Sequence, residues 1–251
     1  MIFSVNDLSV YYQTLKGDVK AVDNISYTVD KGEIVGIAGE SGSGKSTMGY
    51  SFITLKPPMK YVSGEVYLDN KKLPINNFNG MQPFRFRKIS IIPQYAMDAM
   101  NPIVKIGKMI EDLLACHNIR YKDRADDLTK RLKKVNLNES VLNMYPFELS
   151  GGMKQRMVMV LSTLLNPSLL IADEITSALD VSTQRAVIEM LREFRDENIV
   201  GSILFITHDI SVLYQIADTI LIIYAGKLLE KAGKEDIIKN PLHPYTKLLI
   251  S

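Results

Sequence analysis

Hydrophobic and polar positions change their arrangement twice along this chain. The first third holds three segments rich in β-branched and aromatic residues, Phe3–Tyr12, Val19–Val29 and Ser63–Leu68, broken by Lys16-Gly17-Asp18, Lys31-Gly32 and Asp69-Asn70. Such runs bounded by turn residues predict antiparallel strands and hairpins. Glu33–Ala38 is a short apolar run followed at once by a glycine-rich loop, the pattern of a buried strand feeding a helix. From about Asn101 to Leu142 the texture turns charged, with Ile106, Met109, Ile110, Leu113 and Leu114 at three-to-four spacing and Leu128, Leu132 and Val135 repeating it. That period predicts a mostly helical lobe, set off by Asn101-Pro102 and Tyr145-Pro146. Beyond it, predicted strands (168–172, 202–207, 220–224) alternate with predicted helices (181–198, 210–218, 234–240). Alternating β and α elements predict a parallel sheet with crossover helices.

Composition narrows the picture. A chain of 251 residues fits one domain, with room for two lobes. With 46% hydrophobic and 23% charged residues it has ample core and none of the bias of disordered or collagen-like chains. Thirty Lys+Arg against 28 Asp+Glu leave a charge of +2, too even for a broad nucleic-acid or anionic-membrane surface, so any anion site must be local. The single cysteine, Cys116, excludes an intrachain disulfide and any four-cysteine metal site and fits a reducing compartment. The longest apolar stretches, such as Ile220–Ala225, fall far short of the roughly 18 to 20 residues that span a bilayer. Met1–Asp7 has no basic segment ahead of an apolar run, so no secretory signal is read, and the protein is expected to stay where it is made.

The most informative string is Gly39-Glu40-Ser41-Gly42-Ser43-Gly44-Lys45-Ser46, with Thr47 following, between a predicted strand and a predicted helix. Glycines let successive backbone N–H groups turn inward, and the helix N-terminus adds its positive dipole end, so a triphosphate finds donors without rearrangement. Lys45 is expected to reach the β and γ phosphates, and the Ser46 hydroxyl to ligate Mg²⁺. The apolar run Leu169–Ala172 then ends in two acids. In open α/β sheets catalytic groups collect at the carboxyl ends of strands, so Asp173 is expected to hold Mg²⁺ and Glu174 to act as general base on water. A second anion site is predicted where Ser150, a natural N-cap, and Gly151 and Gly152 open a helix running to about Leu165.

Taken whole, Leu149-Ser150-Gly151-Gly152-Met153-Lys154-Gln155-Arg156 resembles the signature motif of ATP-binding cassette (ABC) ATPases. The rest of the chain is similar to that family from end to end. Gln94 matches the Q-loop, a contact to Mg²⁺. Ser177-Ala178-Leu179-Asp180 resembles the D-loop, His208 the switch histidine, and Tyr12 the aromatic that stacks on adenine, although Tyr11 stands beside it. The resemblance implies a P-loop α/β fold with a mostly parallel sheet, an N-terminal antiparallel β-subdomain and an inserted helical subdomain. The expected layout is a catalytic core over 1–94 and 166–251 with a helical subdomain over about 95–165. It further implies a head-to-tail dimer in which ATP on the phosphate loop of one cassette is capped by Ser150, Gly151 and Gly152 of the other, with His208 stabilising transition-state charge.

Tyr145-Pro146-Phe147-Glu148, Met100-Asn101-Pro102 and Asn240-Pro241-Leu242-His243-Pro244-Tyr245-Thr246 narrow the resemblance to the ATPases of oligopeptide/dipeptide-type importers. That likeness implies a peripheral protein on the cytoplasmic side of the cell membrane, bound to transmembrane permease subunits. It implies a second ATPase, identical or a sister subunit, an indirect link to an external solute-binding protein, and no nucleic acid. Related systems carry oligosaccharides or nickel. Members commonly continue past the His-Pro-Tyr-Thr motif with a cysteine-bearing tail for an iron–sulfur cluster; a chain stopping at Ser251 is expected to lack it. One departure stands out, Ile175 where the family usually has proline, which frees the turn after Glu174 and restores an N–H; Glu174 is expected to remain competent. Soluble family members acting in DNA repair or translation usually fuse two cassettes or insert long coiled coils, and neither heptads nor a second phosphate loop is present. A simple P-loop kinase has no need of the signature motif.

Overall fold

Two long strands open the chain because their alternate residues can be buried on one face. These are β1 (Phe3–Thr14) and β2 (Gly17–Val29), joined by a tight hairpin in which Thr14 pairs with Gly17. The computed structural model describes residues 1–96, 99–177 and 179–250. After β2 come β3 (Ile34–Ala38), α1 (Lys45–Ser51), β4 (Met59–Leu68), the short β5 (Lys71–Lys72) and β6 (Ile89–Ile92). Three helices follow, α2 (Ile106–Cys116), α3 (Ala125–Lys134) and α4 (Gly151–Thr163). The chain then alternates through β7 (Leu169–Asp173), α5 (Val181–Asp196), β8 (Ser202–Ile206), α6 (Ile210–Ile216), β9 (Thr219–Tyr224), β10 (Lys227–Gly233), α7 (Lys234–Lys239) and α8 (Pro244–Ile250).

The strands form two sheets. One is antiparallel, ordered β2-β1-β4-β5, and the other has six strands ordered β10-β9-β3-β8-β7-β6. Every pairing in the second is parallel except β10 on β9. The expected mostly parallel sheet with an N-terminal antiparallel sheet is therefore present.

Side chains alternate across the six-stranded sheet and make a core on each face. Ile34, Ala38, Leu170, Ala172, Ile203, Phe205, Ile220 and Ile222 point to one face, where buried residues of the helices, among them Ile106, Leu132, Met157, Leu191 and Leu213, join them. Val35, Ile37, Leu169, Ile171, Leu204, Ile206, Leu221 and Ile223 point to the other, against Met48 and Phe52 and the inner residues of the antiparallel sheet. Burial on both faces explains why these strands read as unbroken apolar runs. Within the helical segment, the buried Arg131 guanidinium donates to the Thr163 carbonyl and to Asn166 Oδ1, each at 2.9 Å, and so ties α3 to the C-terminal end of α4.

Several elements depart from the sequence expectation. β1 runs on to Thr14, β4 begins at Met59 because Tyr11 and Tyr12 pair with Lys60 and Met59, and β6 and β10 were not anticipated. Both are edge strands, recruited by β7 and β9, as is the equally unanticipated β5, recruited by β4. No helix among the described residues is long and apolar enough to cross a membrane.

Phe205 is fully buried on the face shared by sheet and helices. Phe205→Ala is expected to lower the unfolding free energy by about 3–5 kcal/mol. Urea denaturation followed by circular dichroism would measure it, and a loss under about 1 kcal/mol would contradict the shared core.

Candidate nucleotide site

β3 delivers the chain into the phosphate loop at the centre of the parallel sheet. The loop lies so close to its neighbours that glycine is required at two points. A Cβ on Gly39 (φ 147°) would sit 2.0 Å from the Ile223 carbonyl oxygen, and one on Gly44 (φ 103°) 1.9 Å from that of Ala21. The Gly226 N–H donates to the Ser43 carbonyl at 2.9 Å, fastening the loop to the β9–β10 turn. Lys45 is buried, and its ammonium donates to the carbonyls of Gly39 (2.7 Å) and Glu40 (2.8 Å). Burial lowers its pKa, while Glu174, Asp173 and Glu40 pull the other way.

The acids stand where β7 ends. Asp173 is buried; its Oδ1 accepts the Ser46 hydroxyl at 2.9 Å, and its Oδ2 has no partner. Burial pushes its carboxyl up to about 6, against the Ser46 hydrogen bond and with help from the charge of Glu174. Glu174 takes a left-handed backbone, φ 46°, which costs a residue with a Cβ about 1–2 kcal/mol. Its N–H donates to the Ile206 carbonyl at 2.9 Å. Gln94 Nε2 donates to Glu174 Oε2 at 3.0 Å, and His208 Nδ1 lies 3.4 Å from Oε1. The side chain of Glu174 is 12% exposed and that of His208 54%. The adjacency of β6, β7 and β8 brings these three residues together, because each follows the carboxyl end of one of those strands.

A cavity of about 580 Å³ opens over Gln94 and Glu174. Ser41, Gly42, Gly44, Lys45, Ser46, Thr47, Gln94 and Glu174 line it, as does Tyr12. The Tyr12 hydroxyl meets Thr47 Oγ1 at 3.0 Å, whereas Tyr11 turns to Asp23 Oδ1 at 2.8 Å and takes no part in the lining. Gly39 and Ser43 form the base of the loop outside the lining. Sequence reasoning missed Val19, Lys20 and Ala21 on β2 and Ala225 and Gly226 after β9, which complete the walls. It also missed Tyr245, whose hydroxyl accepts the Glu40 N–H at 3.0 Å. The His-Pro-Tyr-Thr string marked that segment but carried no signal that it touches the phosphate loop.

Asp173 and His208 are outside the lining and reach the cavity through their contacts with Ser46 and Glu174, and four predicted residues lie elsewhere. Ser150, Gly151 and Gly152 are exposed at the start of α4, with Ser150 Oγ accepting the Met153 N–H at 3.4 Å, and none of them lines this chain's own cavity. Asp180 also stays clear of it; as N-cap of α5 it accepts the N–H groups of Ser182 and Thr183 at 3.0 Å each, and these donors with their hydroxyls hold its carboxyl far below the usual range. Ala178 of the Ser177–Asp180 string lies outside the described residues.

Comparison with known proteins agrees with this geometry. Residues 22–177 match the family described as ABC transporter. The chain is 39% identical over 255 residues to the dipeptide transport ATP-binding protein DppD of Caldanaerobacter subterraneus, covering 100% of this chain and 78% of that protein. It is 37% identical over 250 residues to the oligopeptide transport ATP-binding protein OppD of Bacillus subtilis, covering 98% and 70%. Among solved structures, the dimeric post-hydrolysis state of an ATP-binding cassette bound to ADP and Pi superposes with a TM-score of 0.80 at 27% identity, over 93% of this chain and 99% of that one. A phosphate loop backed by two acids, within a chain so alike over its whole length, makes this protein an ATP-hydrolysing member of the ABC transporter family, of the oligopeptide/dipeptide type.

Proposed function

We propose that this chain hydrolyses ATP at an interface between two cassettes and so powers peptide uptake through a membrane permease. The observation that carries the reading is that Glu174 lines the cavity with Lys45, Ser46 and Gln94, and that Gln94 and His208, the latter from outside the lining, both meet its carboxylate. In this reading the triphosphate draws Lys45 away from the Gly39 and Glu40 carbonyls, loop N–H groups take up phosphate oxygens, and Tyr12 supports the adenine. Water attacks the γ-phosphorus, its proton passes to the Glu174 carboxylate, and the bond to the ADP oxygen breaks. Gln94 and His208, both against that carboxylate, orient it, and His208 offers a donor to the developing phosphate charge.

The donor set fits Mg²⁺: a hydroxyl oxygen on Ser46 beside a buried carboxylate with one unpartnered oxygen on Asp173. Those two residues would hold the ion, with Gln94 close by, and when bound it offsets phosphate charge. Holding an ionised carboxylate ready there costs stability in the free protein. The folded pKa of Asp173, about 6, lies above the ordinary 3.8, so its contribution is most favourable at low pH and is lost as pH rises through about 6.

Ser150, Gly151 and Gly152 face outward, so the nucleotide they serve belongs to a second cassette, identical or a sister subunit. The dimeric cassette structures similar to this chain support that arrangement. An apolar groove of about 620 Å³ bordered by Tyr50, Ile53, Tyr95, Met109, Leu113 and Leu161 begins beside Gln94 and offers the permease a seat. The roles of the similar dipeptide and oligopeptide transport ATP-binding proteins support a peptide cargo; in this reading an external binding protein delivers it and this chain works on the cytoplasmic side.

Glu174→Gln is expected to bind ATP, lose at least a hundredfold in turnover and accumulate as an ATP-dependent dimer on size exclusion; wild-type turnover would remove Glu174 as the base. Ser150→Arg should leave ATP binding by the monomer unchanged but abolish that dimer, and an intact dimer would sink the shared site. Asp173→Asn should raise the unfolding free energy of the nucleotide-free protein by up to about 3 kcal/mol at pH 8. The gain should vanish near pH 4; a pH-independent difference in urea unfolding would show that the carboxyl is not displaced.

A further inference from the structure

Helix α4 contributes nothing to the cavity lining but reaches the turn that carries Glu174. Its Gln155 is buried, and the side-chain Nε2–H donates to the carbonyl of Ile175 at 2.8 Å. Only the NH₂ end of the amide can donate to a backbone carbonyl, so the orientation of the side chain is fixed by its partner. Ile175 follows Glu174 directly, and it too is buried.

The tether matters because of how Glu174 is built. A left-handed backbone at a residue with a Cβ persists only where its surroundings over-determine it. Here each peptide around Glu174 is tied. Its N–H goes to Ile206 on β8, and its carbonyl accepts the Ser177 N–H (3.2 Å) and hydroxyl (2.9 Å). The next carbonyl goes to Gln155. The first tie belongs to the sheet and the second is local to the turn; the third comes from a different element. Ile175 has no ring to lock its φ, so the geometry of this turn rests on hydrogen bonds. An apolar residue would spare the burial of the amide but take this donor from the Ile175 carbonyl, so the hydrogen bond is what the amide contributes there.

We propose that Gln155 is a positioning residue for Glu174, and that through it α4 links the alignment of the base to Ser150–Gly152. Ser150 caps α4, and Gln155 lies on the same unbroken 13-residue helix, little more than one turn inside it. A load placed on Ser150–Gly152 by a partner cassette's nucleotide therefore reaches the base of the same chain through a short rigid segment. The two nucleotide sites of a dimer are coupled along this path. The proposal rests on the reading of Glu174 as the base.

Gln155→Met keeps the length and volume of the side chain but has no donor. In single-turnover hydrolysis with the full chain, it is expected to lower the rate at least tenfold while ATP affinity, measured on the same preparation, stays within twofold. Added to Glu174→Gln, it should change the residual rate less than twofold, because the residue it positions is already disabled. A rate within twofold of wild type for Gln155→Met would overturn the proposal. So would a further tenfold loss in the double variant, which marks a structural role independent of Glu174. Should Gln155→Met fail to fold, Gln155→Leu carries the same pair of comparisons. Wild-type turnover in Glu174→Gln alone is a separate result that removes the base itself and the proposal with it.

Discussion

The carboxylate of Asp173 is held out of water at the end of β7, with Ser46 donating to one oxygen and nothing to the other. Keeping it there takes a sheet buried on both faces, since an exposed strand end would let solvent reach the acid and return its pKa to the ordinary range. The same burial draws down the pKa of Lys45, which donates to the loop carbonyls of Gly39 and Glu40. Lys45 and Asp173 thus act on each other electrostatically while each takes its hydrogen bonds elsewhere, Lys45 to loop carbonyls and Asp173 to Ser46. Burial of both charges carries an electrostatic cost, which the proposed binding of nucleotide would relieve.

Strand order sets a second arrangement beside this one. β6, β7 and β8 lie side by side, so residues far apart in the chain, Gln94, Glu174 and His208, leave the sheet at one edge and meet. Each belongs to the segment following its strand, where the backbone is free of the ladder. The strained φ of Glu174 is tolerated because strand β8, Ser177 and Gln155 each hold a neighbouring peptide group.

The two glycine-rich helix starts of the molecule differ in their exposure. The phosphate loop is pinned from behind by the β9–β10 turn, by β2 and by Tyr245, whereas Ser150–Gly152 stand in solvent with their helix anchored at its far end by Arg131. A fixed site and an outward-facing one on the same chain are the geometry expected of a protein that completes its active site with a second copy or a sister subunit.

The phosphate loop, the two acids after an apolar strand and the capped start of α4 were legible in the sequence because each is a run of consecutive residues whose local conformation follows from glycine, capping and burial. The parallel sheet was legible for the same reason, since strands buried on both faces read as apolar runs. Period and spacing could not choose Tyr12 over Tyr11, because that choice depends on a bulged register of β1 against β2 and β4. Nor could they find Val19–Ala21, Gly226 or Tyr245 at the site, the edge strands β6 and β10, or the bond from Gln155 to Ile175. In each case the partner is supplied by another segment of the chain, and only the packing of sheets and helices brings the two within hydrogen-bonding or van der Waals distance.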